Sequence, residues 1–225
     1  MNGPRYSSDI DIFHDSAEAV AVAAEADIAR VRSEGMSIDV FRQIKGVTSA
    51  SIAYAGETTK IEWVVDSDFR YFPPVPDAVL GYVLHPADLA VNKLMAAAGR
   101  HMARDVIDLV TIHERYLPIG AIAIAAVVVA PGFTPEALLE EVRRNARYAQ
   151  SEFAELKATA PIDGGVVLAT LRAALEEAEQ FVRRVPSEKV GRLFLVGGKP
   201  VQPDLARLDR YVEHTPMRGG HWPGL

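Results

Sequence analysis

Two acidic residues near the amino terminus are the first side chains whose type and spacing could do chemistry. Asp9 and Asp11 alternate with Ile10 and Ile12, which is the period of a β-strand whose successive side chains point to opposite faces. Both carboxylates then share one face, where their repulsion, ~4 kcal/mol at about 4 Å and an effective dielectric constant near 20, must be offset. Mg²⁺ is the natural counter-charge where phosphates are handled, because it binds one or two carboxylates together with substrate phosphates.

A third carboxylate would turn this pair into a catalytic metal site. Glu62 lies between Ile61 and Trp63 in a later predicted strand, and Asp66 and Asp68 compete for the same role. Carboxylates arranged in this way can hold two metal ions that bind the attacking and leaving oxygens of an in-line phosphoryl transfer. The alternative is that all these acids are solvated positions on strand faces, and an isolated Asp-x-Asp favours that alternative.

A second group of charged residues lies on a predicted helical segment. Lys93, Arg100 and Arg104 fall within about 20° of one another on a helical wheel, if one helix continues through Gly99. Asp108 follows one turn after Arg104. Such a basic stripe could hold a triphosphate or a nucleic-acid backbone. The alternative is an ordinary solvated face with ion pairs that contribute only ~0.3–0.5 kcal/mol each.

The elements that must position these residues are predicted from periodicity and from glycine and proline. A helix over residues 17–32 follows the first strand, and three strands follow at 38–44, 50–55 and 59–65. The stretch Phe-Pro-Pro-Val-Pro at 72–76 breaks regular structure and places a boundary near residue 75. The remaining elements are helices at 86–99, 103–116, 119–130, 135–157 and 165–185, and a late strand at 190–196.

These elements predict an α+β fold in three parts. Residues 1–75 form a core with a small mixed sheet, residues 76–199 form a helical domain, and residues 200–225 form a mobile tail. The helices begin at or stop just short of prolines, as expected for helical segments joined by short connections.

Composition excludes several classes of protein. With 225 residues, of which 49% are hydrophobic and 24% charged, the chain has the composition of a folded, soluble protein. The absence of cysteine excludes a disulfide framework and a thiolate metal site and fits the cytoplasm. The longest apolar run, residues 119–130, is shorter than the roughly 20 residues of a membrane span, so no membrane partner is expected. A net charge of −6 means that any nucleic acid must bind a local basic patch.

Two segments together resemble the AbiEii/AbiGii family of nucleotidyltransferases. Residues 5–13 read Arg-x-Ser-Ser-Asp-Ile-Asp-Ile-Phe, and residues 88–109 read Asp-Leu-x-x-x-Lys-Leu-x-Ala-x-x-x-Arg-x-x-x-Arg-Asp-x-x-Asp-Leu. The resemblance covers about residues 5–115. It implies a polymerase-β-like core with a helical carboxy-terminal half, an NTP as substrate and Mg²⁺ as cofactor. The family includes toxins of abortive-infection and toxin-antitoxin systems, and some members modify the acceptor end of tRNA and are neutralised by a cognate antitoxin.

The resemblance also implies roles for single residues. Asp9 and Asp11 become the metal ligands, and Glu62 is our candidate for the third. Lys93 would contact the nucleotide, and Asp105 would be an essential acid. The other candidates for nucleotide binding are Ser8, Arg100, Arg104 and Asp108.

One part of the family pattern has no counterpart in the printed sequence. The family has a Gly-Gly/Ser turn before the Asp-x-Asp strand, and that turn opens a helix whose backbone amides hold the triphosphate. Residues 1–4, Met-Asn-Gly-Pro, do not replace it.

The leading hypothesis from the resemblance is Mg²⁺-dependent transfer of a nucleotide to a hydroxyl, such as a tRNA 3′ end. The main rival is a catalytically inactive remnant that acts as a binding or regulatory module, and a third reading is a helical interaction protein.

Overall fold

The computed structural model describes residues 3–7 and 9–224, and the chain divides into two compact units. The first unit is Tyr6–Asp68. The second unit starts at Phe69 and also includes the described residues that precede Tyr6. The chain therefore changes unit before the boundary predicted near residue 75, because the proline-rich stretch belongs to the second unit, where Phe72 is buried.

The first unit is a four-stranded sheet with one helix. Its elements are β1 (Asp9–His14), α1 (Ala17–Ser33), β2 (Ser37–Ile44), β3 (Val47–Tyr54) and β4 (Glu57–Val65). The strand order is β1-β4-β3-β2, in which β1 is parallel to β4 and the other neighbours are antiparallel. The predicted strands and helix of this unit are confirmed. Gly46 and Gly56 have positive φ angles in the two tight turns between β2, β3 and β4.

One face of this sheet is apolar and packs against α1. Trp63 is completely buried there, and its indole Nε1 donates a hydrogen bond to Asp27 of α1 at 2.8 Å. Ile12 of β1 packs against the same cluster. Because alternate residues of a strand point to opposite faces, burial of these residues directs Asp11 and Glu62 to the other face. The buried residues of the cluster are Val20, Ala24, Ala50, Ile61 and Trp63.

The second unit contains the helical half of the chain. Its helices are α2 (Pro86–Gly99), α3 (Ala103–Arg115), α4 (Ile119–Ala126), α5 (Pro135–Asn145), α6 (Gln150–Ala154) and α7 (Gly164–Val182). Every residue of α4 is buried, and α4 packs against α2 and α7. A helix buried on all sides needs no polar face, which explains its unbroken apolar sequence. The single helix predicted over 135–157 is instead two helices, because Ala146 leaves the helical conformation at φ −82° and ψ 57°.

Short strands and two 3₁₀ helices complete the second unit. The strands are β5 (Phe69–Arg70), β6 (Val75–Asp77), β7 (Gly81–Val83), β8 (Leu193–Val196), β9 (Lys199–Val201), β10 (Val212–His214) and β11 (Met217–Arg218), and the 3₁₀ helices are Ser187–Lys189 and Leu205–Arg210. Strand β8 pairs with β9 and β10, β6 pairs with β7, and β5 pairs with β11.

The region predicted as a mobile tail contributes strands to the fold. Strand β10 pairs with β8 and β11 pairs with β5, and His214 of β10 is almost fully buried. Glycine and proline in this region mark turns between very short strands, and the same composition is typical of disordered termini. Composition therefore does not distinguish the two cases.

Within the described ranges, no single helix is long and apolar enough to cross a membrane. Helices α3 and α4 taken together satisfy the same criterion by length and composition, and they are bent by 113° at their junction.

Candidate functional site

The acidic residues of β1 and β4 lie side by side on the face of the sheet opposite α1. The parallel pairing of these strands puts Asp9 opposite Lys60 and Asp11 opposite Glu62. Because paired residues on neighbouring strands share a face, the two aspartates and Glu62 project to the same side. The placement predicted for Asp9, Asp11 and Glu62 is thus what the strand register produces.

Glu62 is held by two neighbours on that face. Ser49 of β3 donates its hydroxyl hydrogen to Glu62 Oε1 at 2.6 Å, and Lys60 Nζ lies 2.7 Å from Glu62 Oε2. Burial acts to raise the pKa of Glu62, but the hydrogen bonds from Lys60 and Ser49 outweigh burial and hold the pKa below its usual value, with Asp9 opposing them. Glu62 is therefore an anion at neutral pH, within electrostatic range of Asp9.

The donor set on this face fits Mg²⁺ in chemical type. Three carboxylates supply only oxygen ligands, which Mg²⁺ prefers. Among residues 3–7 and 9–224, however, no three acidic, histidine or cysteine side chains are already gathered closely enough to hold a metal ion. Glu62 is instead engaged by the Lys60 ammonium. A metal ion on this face would therefore compete with Lys60 for Glu62.

In the second unit, Lys93 belongs to a three-residue ion-pair cluster. Its Nζ lies 2.8 Å from Asp108 Oδ2. Arg5 binds the same carboxylate with two groups, Nε to Oδ1 at 2.7 Å and Nη2 to Oδ2 at 2.5 Å. Asp108 of α3 therefore binds Arg5, which precedes β1, through a bidentate, charge-assisted contact, and it binds Lys93 of α2 through a second ion pair.

The predicted continuous basic stripe is wrong. Helix α2 ends at Gly99, and Arg100 has an extended backbone with φ −150° and ψ 158°. Arg100 folds back onto Asp105 in the first turn of α3, with Nε to Oδ2 at 2.7 Å and Nη2 to Oδ1 at 3.0 Å. Since Lys93 and Arg104 are on separate helices, the helical-wheel angle between them has no meaning. The predicted helix bounds of 86–99 and 103–116 already contained this break, which the structure confirms.

Asp105 is fully buried and is the carboxylate that secures the junction of α2 and α3. Its position in the first turn of α3 also suits an anion, since the amino end of a helix carries partial positive charge. The structure thus provides a positional reason for an acid at this place, and its role as an essential catalytic acid stays a prediction. Ser8 lies outside the described residues.

Three residues near these groups were missed from sequence. Ser49 and Lys60 are the partners of Glu62, and the alternation of Lys60 with Glu62 along β4 was an available signal for a shared face. Asp88 was noted only as the start of a motif. It is buried, and its carboxylate accepts the backbone N–H groups of Tyr71 and Phe72 at 2.7 and 3.0 Å.

Acid should weaken the second unit through Asp108. Burial acts to raise the pKa of Asp108, but the hydrogen bonds and charges of Arg5 and Lys93 outweigh burial and hold the pKa below its ordinary value of 3.8. A carboxyl group with a lowered folded-state pKa contributes stability that is complete above the unfolded pKa and is lost as the pH falls through the folded pKa. We expect the free energy of unfolding to fall more steeply below about pH 4 in the wild type than in Asp108→Asn. Urea titrations over a pH series measure both slopes, and equal slopes would contradict the assignment.

Comparisons with known proteins show the family and the fold of this chain. The family model described as nucleotidyl transferase AbiEii toxin, type IV TA system, matches residues 1–177. No curated protein sequence matches the chain. MenT4, a nucleotidyltransferase toxin from Mycobacterium tuberculosis, is similar in structure with a TM-score of 0.50 and 16% identity, over 82% of this chain and 70% of that one. A structure from H. pylori assigned as a nucleotidyltransferase has a TM-score of 0.47 and 14% identity, over 81% of this chain and 82% of that one. The predicted α+β, polymerase-β-like fold class is confirmed.

Proposed function

Since this chain belongs to the AbiEii nucleotidyltransferase toxin family of type IV toxin-antitoxin systems, we propose that it transfers a nucleotide from an NTP to a hydroxyl group. The observation that carries the proposal is the register of β1 and β4, which sets Asp9, Asp11 and Glu62 on one face of the sheet. These three carboxylates are the proposed Mg²⁺ ligands. When bound, the ion would neutralise phosphate charge and orient the reacting oxygens.

The proposed reaction is an in-line displacement. The acceptor hydroxyl oxygen forms a bond to the α-phosphorus of the NTP, the bond from that phosphorus to the bridging oxygen breaks, and pyrophosphate leaves while the hydroxyl proton is released. In such a reaction the protein contributes mainly by positioning and by stabilising charge. Ser49 would serve that role by orienting Glu62, and Lys60 keeps Glu62 ionised until a metal ion takes its place.

Lys93 is the proposed ligand of the nucleotide phosphates. Its side chain is 27% exposed, and its ammonium group lies 2.8 Å from Asp108. Asp108 also has Arg5 as a second cationic partner, so it keeps a counter-charge when Lys93 turns toward a phosphate. Arg100 is committed to Asp105, and among the basic residues it has less support as a phosphate ligand than Lys93. Ser8 and Arg104 stay candidates from the family pattern.

A tRNA 3′ end is the proposed acceptor, and a cognate antitoxin is the proposed protein partner. The family consists of toxins of type IV toxin-antitoxin systems, which supports the proposed antitoxin partner. The net charge of −6 requires that an RNA acceptor be held by local basic residues. A second candidate function is a binding or regulatory module without catalysis, and the ion pair of Lys60 with Glu62, which would compete with a metal ion for this carboxylate, favours it.

Labelled nucleotides test the proposal directly. The full chain is incubated with Mg²⁺, total tRNA and each of the four labelled NTPs, and label transferred to RNA is measured for the wild type and for Asp11→Asn. The variant keeps the size of the side chain and removes one charge of the proposed metal site. We expect transfer by the wild type and a loss of about a hundredfold or more in the variant.

A matched control uses another acid of the same face. Asp39 of β2 is exposed and lies in the same cross-strand row as Lys60 and Asp9, at the far edge of the sheet. Asp39→Asn should transfer label as the wild type does. Absence of transfer by a folded wild type with all four NTPs would favour the binding module. Equal loss in both variants would reject a specific role for Asp11.

A further inference from the structure

The carboxy-terminal residues 211–222, which we name the C-terminal strap, lie beyond residues 1–177 that the family model matches. The strap carries β10 and β11. Strand β10 pairs with β8, and β11 pairs with β5, where Met217 lies opposite Arg70 and Arg218 opposite Phe69. The strap therefore closes over residues 69–73, which we name the linking segment because it follows directly on Asp68, the last residue of the first unit.

The linking segment is held from two sides. From α2, the Asp88 carboxylate accepts the N–H groups of Tyr71 and Phe72. From the strap, the Tyr71 carbonyl oxygen accepts a hydrogen bond from His214 Nε2 at 2.8 Å and another from the His221 backbone N–H at 3.2 Å. The amides of Tyr71 and Phe72 are thus bound by α2, and the Tyr71 carbonyl is bound by the strap.

Gly220 makes the closest approach between the strap and the linking segment. A Cβ added to Gly220 would lie 2.2 Å from the carbonyl carbon of Phe72, 2.4 Å from its oxygen and 2.6 Å from Pro73 N. The φ angle of Gly220 is +72°, a conformation that side chains disfavour. The neighbouring Gly219 has nearly the same φ, +74°, but an added Cβ there meets nothing within 4 Å. Contact with the linking segment is therefore a property of Gly220 and not of the turn as a whole.

Two histidines contact Phe72 here, and a third histidine contacts one of them. The Phe72 ring stacks on His85 with centroids 3.9 Å apart and lies 4.5 Å from His214. His221 lies 4.3 Å from His214, ring to ring, and Trp222 covers Phe72 at 5.8 Å. His214 is almost fully buried. Protonation of these imidazoles would bring like charges together in a desolvated cluster, which is unfavourable.

The other charges around the cluster do not compensate such protonation. The groups that pack here are His85 and Asp88 from α2, Arg70 from the linking segment and His221 from the strap. Asp88 is the carboxylate among them, and both its oxygens accept backbone N–H groups. Arg70 adds a positive charge, which acts to lower the pKa of Asp88.

Both histidines that contact Phe72 are neutral in this arrangement. Burial, and then the charge of His214, hold the pKa of His85 below its usual value of 6.5. Burial also lowers the pKa of His214, the hydrogen bond to Tyr71 opposes this, and His221 lowers it further. A histidine with a lowered folded-state pKa contributes to the closed form above the unfolded pKa, and this contribution is lost as the pH falls toward the folded pKa.

We propose that the C-terminal strap is a pH-sensitive latch on the linking segment, closed while His85 and His214 are neutral and released when they are protonated. Release frees residues 69–73, which follow directly on the first unit. The strap can do this because its hold on the linking segment consists of two hydrogen bonds to one carbonyl, a two-residue strand pairing and one aromatic cluster.

Hydrogen exchange of the full chain, followed by mass spectrometry at about pH 7.5, tests the latch with a matched pair of variants. Gly220→Ala places a methyl group against the Phe72 carbonyl, and Gly219→Ala introduces the same backbone strain into open space. We expect amides of 69–73 and 211–222 to exchange roughly tenfold faster in Gly220→Ala than in Gly219→Ala, and α4 to exchange equally in both. Equal exchange of the strap in the two variants, or faster exchange of the whole chain in Gly220→Ala, would overturn the latch.

The histidine trigger is tested by repeating the measurement at about pH 5.5, with rates corrected for the intrinsic effect of pH on exchange. We expect opening of 69–73 and 211–222 to increase roughly tenfold in the wild type. His214→Gln keeps an N–H donor for the Tyr71 carbonyl but cannot be protonated, and it should lose most of that increase. A wild type that stays closed in acid, or a variant that opens as much as the wild type, would reject the trigger even if the glycine pair behaves as expected.

Discussion

Replacement of Asp108 by alanine should lower the free energy of unfolding by about 3 kcal/mol, the lower end of the range for loss of one partner of a buried ion pair. Asp108 and Arg5 have side chains that are 15% and 12% exposed, and the variant would leave Arg5 and Lys93 as neighbouring cations without their shared carboxylate. The lower end applies because Lys93 is 27% exposed and keeps part of its hydration. Urea unfolding monitored by circular dichroism measures the change.

Two comparisons make this result specific to the ion-pair cluster. Asp108→Asn keeps one oxygen that accepts hydrogen bonds but removes the charge. Its free energy of unfolding should therefore lie between those of the wild type and Asp108→Ala. Adding Lys93→Met to Asp108→Ala removes one of the two uncompensated cations and should recover part of the loss. A change below about 0.5 kcal/mol in Asp108→Ala, the size typical of a surface substitution, would show that the cluster contributes little.

Replacement of Asp88 by alanine should cost about 2–4 kcal/mol, because two buried backbone N–H groups lose their acceptor and each unsatisfied group costs about 1–3 kcal/mol. Asp88 accepts from Tyr71 and Phe72 at 2.7 and 3.0 Å and is itself buried. Part of this cost is offset in the variant. Burial raises the pKa of Asp88 because the carboxylate is desolvated, and alanine removes that unfavourable desolvation. The same urea titration gives the value.

The local consequence of Asp88→Ala separates it from a general loss of stability. Amides of Tyr71 and Phe72 should lose protection from hydrogen exchange before those of α7 do. Asp88→Asn retains one acceptor oxygen and should protect one of the two amides, so its effect should be about half as large. If Asp88→Asn and Asp88→Ala were equal, the negative charge and not the pair of hydrogen bonds would be the stabilising feature.

Much of the first unit was predictable because its information is local. Alternation of acidic and apolar residues predicted β1, and glycines predicted the turns on either side of β3. Once the apolar residues of β1 and β4 pack against α1, the aspartates and Glu62 must take the opposite face. The pairing of β1 with β4, across a helix and two intervening strands, was not local, and it is this pairing that sets Asp11 beside Glu62.

The second unit shows where local reasoning failed. The basic stripe required one helix through Gly99, yet α2 ends there, as its predicted bounds of 86–99 already indicated, and Arg100 pairs with the buried Asp105. The mobile tail was predicted from glycine and proline, yet residues 211–222 pair with β8 and β5. In the case of the tail, the ordered state is stabilised by strands β8 and β5, which the local pattern does not contain.

The sequence by itself determined the elements of the first unit, the face of its sheet on which Asp9, Asp11 and Glu62 lie and the family of the chain, since these depend on residue spacing and on short motifs. Only the tertiary structure decided which charges meet. Asp108 takes Arg5, 103 positions away, as its partner, Glu62 takes Lys60 and Ser49, and Gly220 takes its place against Phe72. The physical reason is that periodicity orients a side chain relative to its own backbone, whereas its partner depends on how distant segments pack and on which buried charges and polar groups each of them must satisfy.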